Sequence, residues 1–164
     1  PCGWFVQAEA TQGRGDQAFD MYRRCLPPVV SDRVGIERYG QEPYCYASHL
    51  LAPPQAKPGA AQLPWLTGTA PVMFMAATQY ILGIRPTIRG LEIDPCIPRA
   101  WKGFHVQRRF RGAVYDIDVR NPDGVCKGMA ELTVDGKAVK GILVKPVAGA
   151  RRVKVVATMG AAKA

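Results

Sequence analysis

The chain has 164 residues, of which 48% are hydrophobic and 21% charged, with 22 Lys and Arg against 13 Asp and Glu for a formal charge of +9. This is enough apolar material for a folded core at this length, and no apolar run reaches the roughly 20 residues that a membrane-spanning helix needs. Five cysteines, an odd number without C-x-x-C spacing, exclude a zinc ribbon and a fully paired disulfide framework and fit reduced thiols in a cytoplasmic protein.

Taken in chain order, Trp4, Phe5, Ala8, Ala10 and Thr11 predict a short helix ended by Gly13. Asp16 is the expected N-cap of a second helix through Ala18, Phe19, Tyr22 and Leu26, stopped by Pro27-Pro28. From Val29 to Pro64, repeated prolines predict a long irregular stretch, and a loop of that length in a folded domain is either functional or disordered. Tyr39 and the Tyr44-Cys45-Tyr46 cluster argue against disorder. Aromatic faces and carboxylates commonly grip sugar rings and paired hydroxyls, so Glu42, Tyr44 and Tyr46 are candidate saccharide contacts. A packed loop around a buried tyrosine pair accounts for the same residues, and the sequence does not divide the two readings.

Trp65-Leu66-Thr67-Gly68-Thr69-Ala70-Pro71 follows. Thr67 and Thr69 supply hydroxyls, Gly68 permits a tight or positive-φ turn, and Pro71 suits the first position of a helix. A helix start offers unpaired N–H groups and a partial positive charge, which together favour an anion such as phosphate. The plainer alternative is that Thr69 merely caps a core helix. The run Val72 to Leu82 is apolar except at Thr78 and Gln79, which predicts a helix packed on all sides and stopped by Gly83.

Near residue 85 the periodicity changes from helical to two. Leu91, Ile93 and Pro95 alternate with Glu92 and Asp94. Phe104–Phe110 and Val114–Val119 predict two strands meeting at Arg111-Gly112, and Ala130–Val134 and Val139–Val144 predict a hairpin around Asp135-Gly136. Arg152–Ala157 gives a last strand. The expected product is a small antiparallel sheet packed on the preceding helices. Lys and Arg are scattered, and the tight cluster Arg108-Arg109-Phe110-Arg111 falls within a strand, so it reads as a solvated or interdomain face. Neither a nucleic-acid nor a membrane partner is expected. His105 reads as structural or surface, and His49 in the irregular stretch is ambiguous.

Several blocks in fixed order carry a resemblance: AEATQGRGDQAFDMY (Ala8 to Tyr22), EPYCY (Glu42 to Tyr46), WLTGTA (Trp65 to Ala70), QYILGIRP (Gln79 to Pro86), GLEIDPCIP (Gly90 to Pro98), WKGF (Trp101 to Phe104) and RRFRGAVYDIDV (Arg108 to Val119). Together they resemble the C-terminal part of the inverting disaccharide phosphorylases of glycoside hydrolase family 94. The resemblance implies an α+β chain: residues 1–84 as the last helices of an (α/α)6 catalytic barrel and residues 85–164 as a small antiparallel β domain. Members are several times longer, so the chain is expected to be a fragment, beginning at Pro1 without an initiator Met. As a barrel remnant it is expected to expose apolar faces and to aggregate when isolated.

By the same resemblance, inorganic phosphate displaces the leaving sugar from a β-linked, cellobiose-like di- or oligosaccharide and gives a sugar 1-phosphate with inversion. No metal or organic cofactor is implied, and members are usually homodimers. Thr67 and Gly68 match the family's phosphate contacts, made through a hydroxyl and a backbone N–H. The family's general-acid Asp lies upstream of Pro1, so none of Asp16, Asp32, Asp94, Asp116 or Asp118 takes that role and no catalytic residue is expected in this chain. A phosphate-contacting His falls about four residues before the position of Trp4, also upstream. Two positions depart from the family pattern: Ser48 replaces a Gln that spans sugar hydroxyls, and Pro64 replaces a Ser before the turn. Gln41 is a further polar candidate for the sugar. Alternatives are the phosphorylase-like domain of a cyclic β-1,2-glucan synthase, a non-catalytic carbohydrate-binding relative, and, last, a basic nucleic-acid-binding module.

Overall fold

The structure, a computed structural model, describes residues 2–161. Four helices open the chain: α1 (Cys2–Thr11), α2 (Gly15–Arg24), α3 (Pro27–Val34) and the single turn α4 (Ile36–Tyr39). Pro27-Pro28 does end α2, as expected, but the same pair also starts α3. Proline at the first helical positions lacks only N–H groups that would be unpaired there. The stretch from Val29 is therefore less irregular than its prolines suggest. It also holds a hairpin, β1 (Ala47–Leu50) and β2 (Ala61–Pro64), joined by a loop over residues 51–60.

Next comes α5 (Thr69–Met75), which continues without a break into a π-helical segment, Ala76–Ile81. The Leu82 N–H reaches back five residues to the Ala77 carbonyl at 2.8 Å, and Gly83 at φ +66 ends the element. Two expectations for this helix change. Pro71 is its third residue, not its first, and the helix is not packed all round: Met73 and Ala76 are buried, whereas Phe74 and Met75 are exposed.

The remainder is β. A three-stranded sheet has the order β3 (Ile84–Pro86), β4 (Leu91–Ile93), β9 (Leu143–Val144). A five-stranded sheet has the order β5 (Gly103–Phe110), β6 (Ala113–Arg120), β10 (Arg152–Met159), β7 (Met129–Val134), β8 (Lys137–Ala138). Period-two burial fixes its faces: Ala113, Tyr115, Ile117 and Val119 point inward from β6, and Val153, Val155, Ala157 and Met159 do so from β10. The fold is α+β, but the expected all-antiparallel sheet is corrected. β10 runs parallel to β6, with Val153 opposite Tyr115, so the sheet is mixed. The hairpin at Asp135-Gly136 joins β7 to the two-residue β8, while Leu143–Val144 leaves for the other sheet and pairs with β4.

Asp16 is not a cap. The N-cap position of α2 is Arg14, with no side-chain capping bond, and the Asp16 carboxylate instead accepts the Arg99 backbone N–H at 3.0 Å and its guanidinium at 3.1 Å. Gly15 lies against Ile97, and Phe19 meets Trp101 edge to face at 5.0 Å. Helices and sheets accordingly share one contiguous core, in which Val6, Ala10, Ala18 and Ile81 join Leu91, Ile97, Ile117 and Val155. On the outer face of the larger sheet, His105 pairs with Asp118 at 2.7 Å, Gln107 with Asp116 at 2.7 Å and Arg152 with Asp116 at 3.1 Å.

Candidate functional site

The β1–β2 hairpin decides which distant residues become neighbours. Ala47 pairs with Pro64 and His49 with Gln62, so the chain entering β1 at Tyr46 lies beside the chain leaving β2 toward Thr67. The beginning of α1 packs on α5 at the same place, with Gly3 against Val72. Between these elements opens a cleft of about 750 Å³, and its wall contains Tyr46, Ser48, Thr67 and Gly68. The two candidate phosphate residues and two of the candidate sugar residues thus face one space, although the sequence separates them by about twenty positions.

At the turn itself, Thr67 Oγ1 accepts the Thr69 backbone N–H at 3.0 Å and lies 2.7 Å from Thr69 Oγ1. The Thr67 hydroxyl therefore satisfies one of the N–H groups that a helix start leaves unpaired. Gly68 is the N-cap residue with φ −77 and ψ 3, so of the tight or positive-φ conformations expected there the positive φ is not used; it falls instead on Trp65, at φ 66. Nor is Gly68 required by packing, since a Cβ placed on it would meet nothing within 4 Å. Its N–H makes no hydrogen bond among the described residues. The missing side chain leaves the backbone open to the cleft.

Tyr46 is half-buried. Burial is the main cause that pushes its phenol well above the ordinary tyrosine range, followed by the neighbouring Tyr22 and Cys25. It therefore stays a neutral hydroxyl, able to donate to and accept from a sugar. Ser48 is exposed on β1. Gln41, Glu42 and Tyr44 lie outside the wall of the cleft. The Gln41 amide donates to Tyr39 Oη at 2.9 Å and to the Cys45 carbonyl at 2.6 Å, which orders the loop from inside, while Glu42 and Tyr44 are exposed. Tyr39 is the buried tyrosine, its hydroxyl donating to the Cys45 carbonyl at 3.1 Å and its pKa raised by burial.

The cleft also contains residues that sequence reasoning did not select: Cys2, Cys25, Arg33 and His49. Arg33 has no ion pair among the described residues, whereas Arg24 nearby is paired with Asp20 at 2.8 Å. An unpaired guanidinium beside two threonines and a tyrosine makes the cleft receptive to anions. No sequence signal marked Arg33, because only the fold of α3 against α2 brings it there.

A second cavity, of about 380 Å³, is bordered by Tyr80, Arg85, Asp94 and Lys127 and includes none of the candidates. Its charged groups are ion-paired, Lys127 with Asp94 at 2.7 Å and Arg85 with Glu92 outside the cavity at 3.4 Å, while the buried Arg85 Nε has no hydrogen-bond partner among the described residues. Among the described residues no group of His, Cys, Asp and Glu is arranged to hold a metal ion, and no helix is long and apolar enough to cross a membrane.

Comparison with known proteins gives two family matches. Residues 1–83 match the glycosyl hydrolase 94 superfamily, catalytic domain, and residues 84–139 match the glycosyl hydrolase family 65, C-terminal domain. The chain is 42% identical over 156 residues to an N,N'-diacetylchitobiose phosphorylase of Vibrio furnissii, a match covering 95% of this chain and 19% of that protein. It is 36% identical to a solabiose phosphorylase of Paenibacillus borealis, over 83% of this chain and 17% of that protein. It is 34% identical to the cyclic beta-(1,2)-glucan synthase NdvB of Rhizobium meliloti (strain 1021), over 71% of this chain and 4% of that protein. The chain thus spans less than a fifth of the length of these curated relatives, at 19%, 17% and 4%.

Proposed function

The chain belongs to the glycosyl hydrolase 94 superfamily, and from that premise we propose that it is the C-terminal portion of an inverting disaccharide phosphorylase. In this reading residues 1–84 complete an (α/α)6 barrel, residues 85–164 form the β domain behind it, and the whole protein cleaves a β-linked di- or oligosaccharide with inorganic phosphate. The observation that carries the reading is the shared cleft: Thr67 and Gly68 face the same space as Tyr46 and Ser48.

Phosphorolysis with inversion needs an acid on the glycosidic oxygen and phosphate in line on the opposite face of the anomeric carbon. Phosphate is already an anionic nucleophile, so a base is unnecessary and the task is positioning. The Thr67 hydroxyl and the free Gly68 N–H would hold it, while Arg33 would draw the anion into the cleft. Tyr46 and Ser48 would meet the sugar. Ser48 reaches less far than an amide side chain would, which leaves room for a bulkier or differently linked sugar than a plain glucose disaccharide. The acid is assigned to the part of the protein upstream of this chain, and no metal or organic cofactor enters the scheme.

The test is phosphate-dependent cleavage of a panel of β-linked disaccharides by the full-length protein, with sugar 1-phosphate as the product measured. Product from wild type and its loss in Thr67→Val support the reading. Absence of phosphate-dependent product on every sugar removes it in favour of the glucan-synthase reading, which the 34% identity to the synthase supports second.

A further inference from the structure

We propose that Cys2 and Cys25 form a redox-responsive thiol pair in the wall of the cleft, closing to a disulfide when a small disulfide such as oxidised glutathione is present. Topology places them together. Cys2 is the first residue of α1 and Cys25 the C-cap of α2, and the two helices form a tight hairpin joined over residues 12–14, so the start of one meets the end of the other. Both residues line the cleft beside Tyr46.

The two thiols have different environments. Cys2 is exposed and Cys25 is partly buried. Burial, with neighbouring Cys2 as the second cause, pushes the Cys25 thiol up to about 11. The other cysteines behave differently. Cys45, Cys96 and Cys126 are buried, and Cys126 donates to the Asp16 carboxylate at 3.6 Å.

The exposed Cys2 is therefore the attacking thiol. Its thiolate attacks one sulfur of oxidised glutathione, forming a mixed disulfide and releasing one glutathione thiolate. The Cys25 thiolate then attacks the Cys2 sulfur and releases the second glutathione thiolate. Two protein thiols are oxidised, one glutathione disulfide is reduced to two thiols, and the two protons pass to the released thiolates. The pairing depends on neither the phosphate nor the sugar reading of the cleft.

The test equilibrates the full-length protein in glutathione buffers of rising oxidising poise, blocks free thiols, and maps cysteine peptides by mass. The expected result is a Cys2–Cys25 linked peptide as the main oxidised species, with Cys45, Cys96 and Cys126 alkylated only after denaturation. In Cys25→Ser the mixed disulfide on Cys2 should accumulate instead, because nothing resolves it. Hydrogen exchange at residues 2–5 and 23–25 should slow on oxidation of wild type. A wild-type protein that carries glutathione on Cys2 without the linked peptide overturns the proposal, as does one whose two thiols stay free at every poise.

Discussion

Thr67 Oγ1 accepts the backbone N–H of Thr69 at 3.0 Å, so the side chain that faces the cleft is also the one that ties the turn to the start of α5. Removing the hydroxyl has two separable effects. Thr67→Val leaves the Thr69 N–H without its partner, which costs about 1 kcal/mol of stability, and, on the proposed function, deletes a phosphate donor, which should lower phosphate-dependent kcat/KM of the full-length protein by about a hundredfold. Thr67→Ser keeps the hydroxyl and should stay within about tenfold of wild type. Equal loss in both variants would mean that keeping the hydroxyl is not enough, and the hydroxyl would lose its special role at this position.

Gly68 gives the complementary prediction. Its φ of −77 is ordinary and a Cβ would meet nothing within 4 Å, so Gly68→Ala should fold and melt nearly as wild type, within about 1 kcal/mol. The added methyl group stands where the open backbone faces the cleft. The phosphate KM should therefore rise about tenfold or more with little change in unfolding midpoint. A variant with unchanged phosphate kinetics would show that nothing approaches this backbone.

The β half was largely legible because its signals are local. Arg111 and Gly112, both at positive φ, join Phe110 to Ala113 where the turn was expected, and the alternation of β6 follows its apolar residues. What escaped is set by partners far along the chain. Nothing near Asp16 announces a bond to Arg99, 83 positions away, and nothing near Arg152 announces a parallel partner in β6. At the candidate site, Thr67 and Tyr46 were visible as residue types in a turn and an aromatic cluster. Arg33 and the two thiols were not, since only the packing of α1, α2 and α3 makes them neighbours of the cleft.

Gly15 tests whether the helices and sheets are one cooperative unit. A Cβ there would sit 2.2 Å from the Ile97 carbonyl oxygen and 2.7 Å from its carbon, both backbone atoms that cannot move aside. Gly15→Ala should destabilise the chain by about 2 kcal/mol or more. Gly112→Ala, at φ +83 but with nothing within 4 Å, should cost only about 1 kcal/mol of backbone strain. Urea unfolding followed by both far-ultraviolet dichroism and Trp101 fluorescence, read in a Trp4→Phe, Trp65→Phe background, checks this. Coincident shifts of the two probes in Gly15→Ala are expected, and a shift confined to one would show that the halves unfold separately.

The helical layer leaves large apolar side chains in water: Trp4 is 67% exposed, Phe5 60%, Leu66 80% and Phe74 62%. Such a collection on α1, the turn and α5 exceeds scattered surface residues, so the isolated 164-residue chain should self-associate and bind a hydrophobic dye. Phe5→Lys combined with Phe74→Lys should reduce both effects without loss of helix content, because neither side chain is in the core. Sedimentation of the isolated wild-type chain as a monomer that binds no dye would contradict this.

Alkaline pH should weaken the fold through Cys96. Its side chain is fully enclosed, and burial raises the thiol from 9.0 to about 11. Below pH 9 both the folded and unfolded chains keep this proton and the full stability is present. Between pH 9 and 11 the unfolded chain releases it while the folded chain retains it, so stability falls as pH rises through that window, by at most about 1.4 kcal/mol per pH unit. Cys96→Ala leaves a small cavity and should be less stable at pH 8. It should nevertheless lose less stability than wild type between pH 9 and pH 10.5, because the titrating group is gone. Parallel declines in the two proteins would assign the alkaline loss to other groups, such as the buried tyrosines.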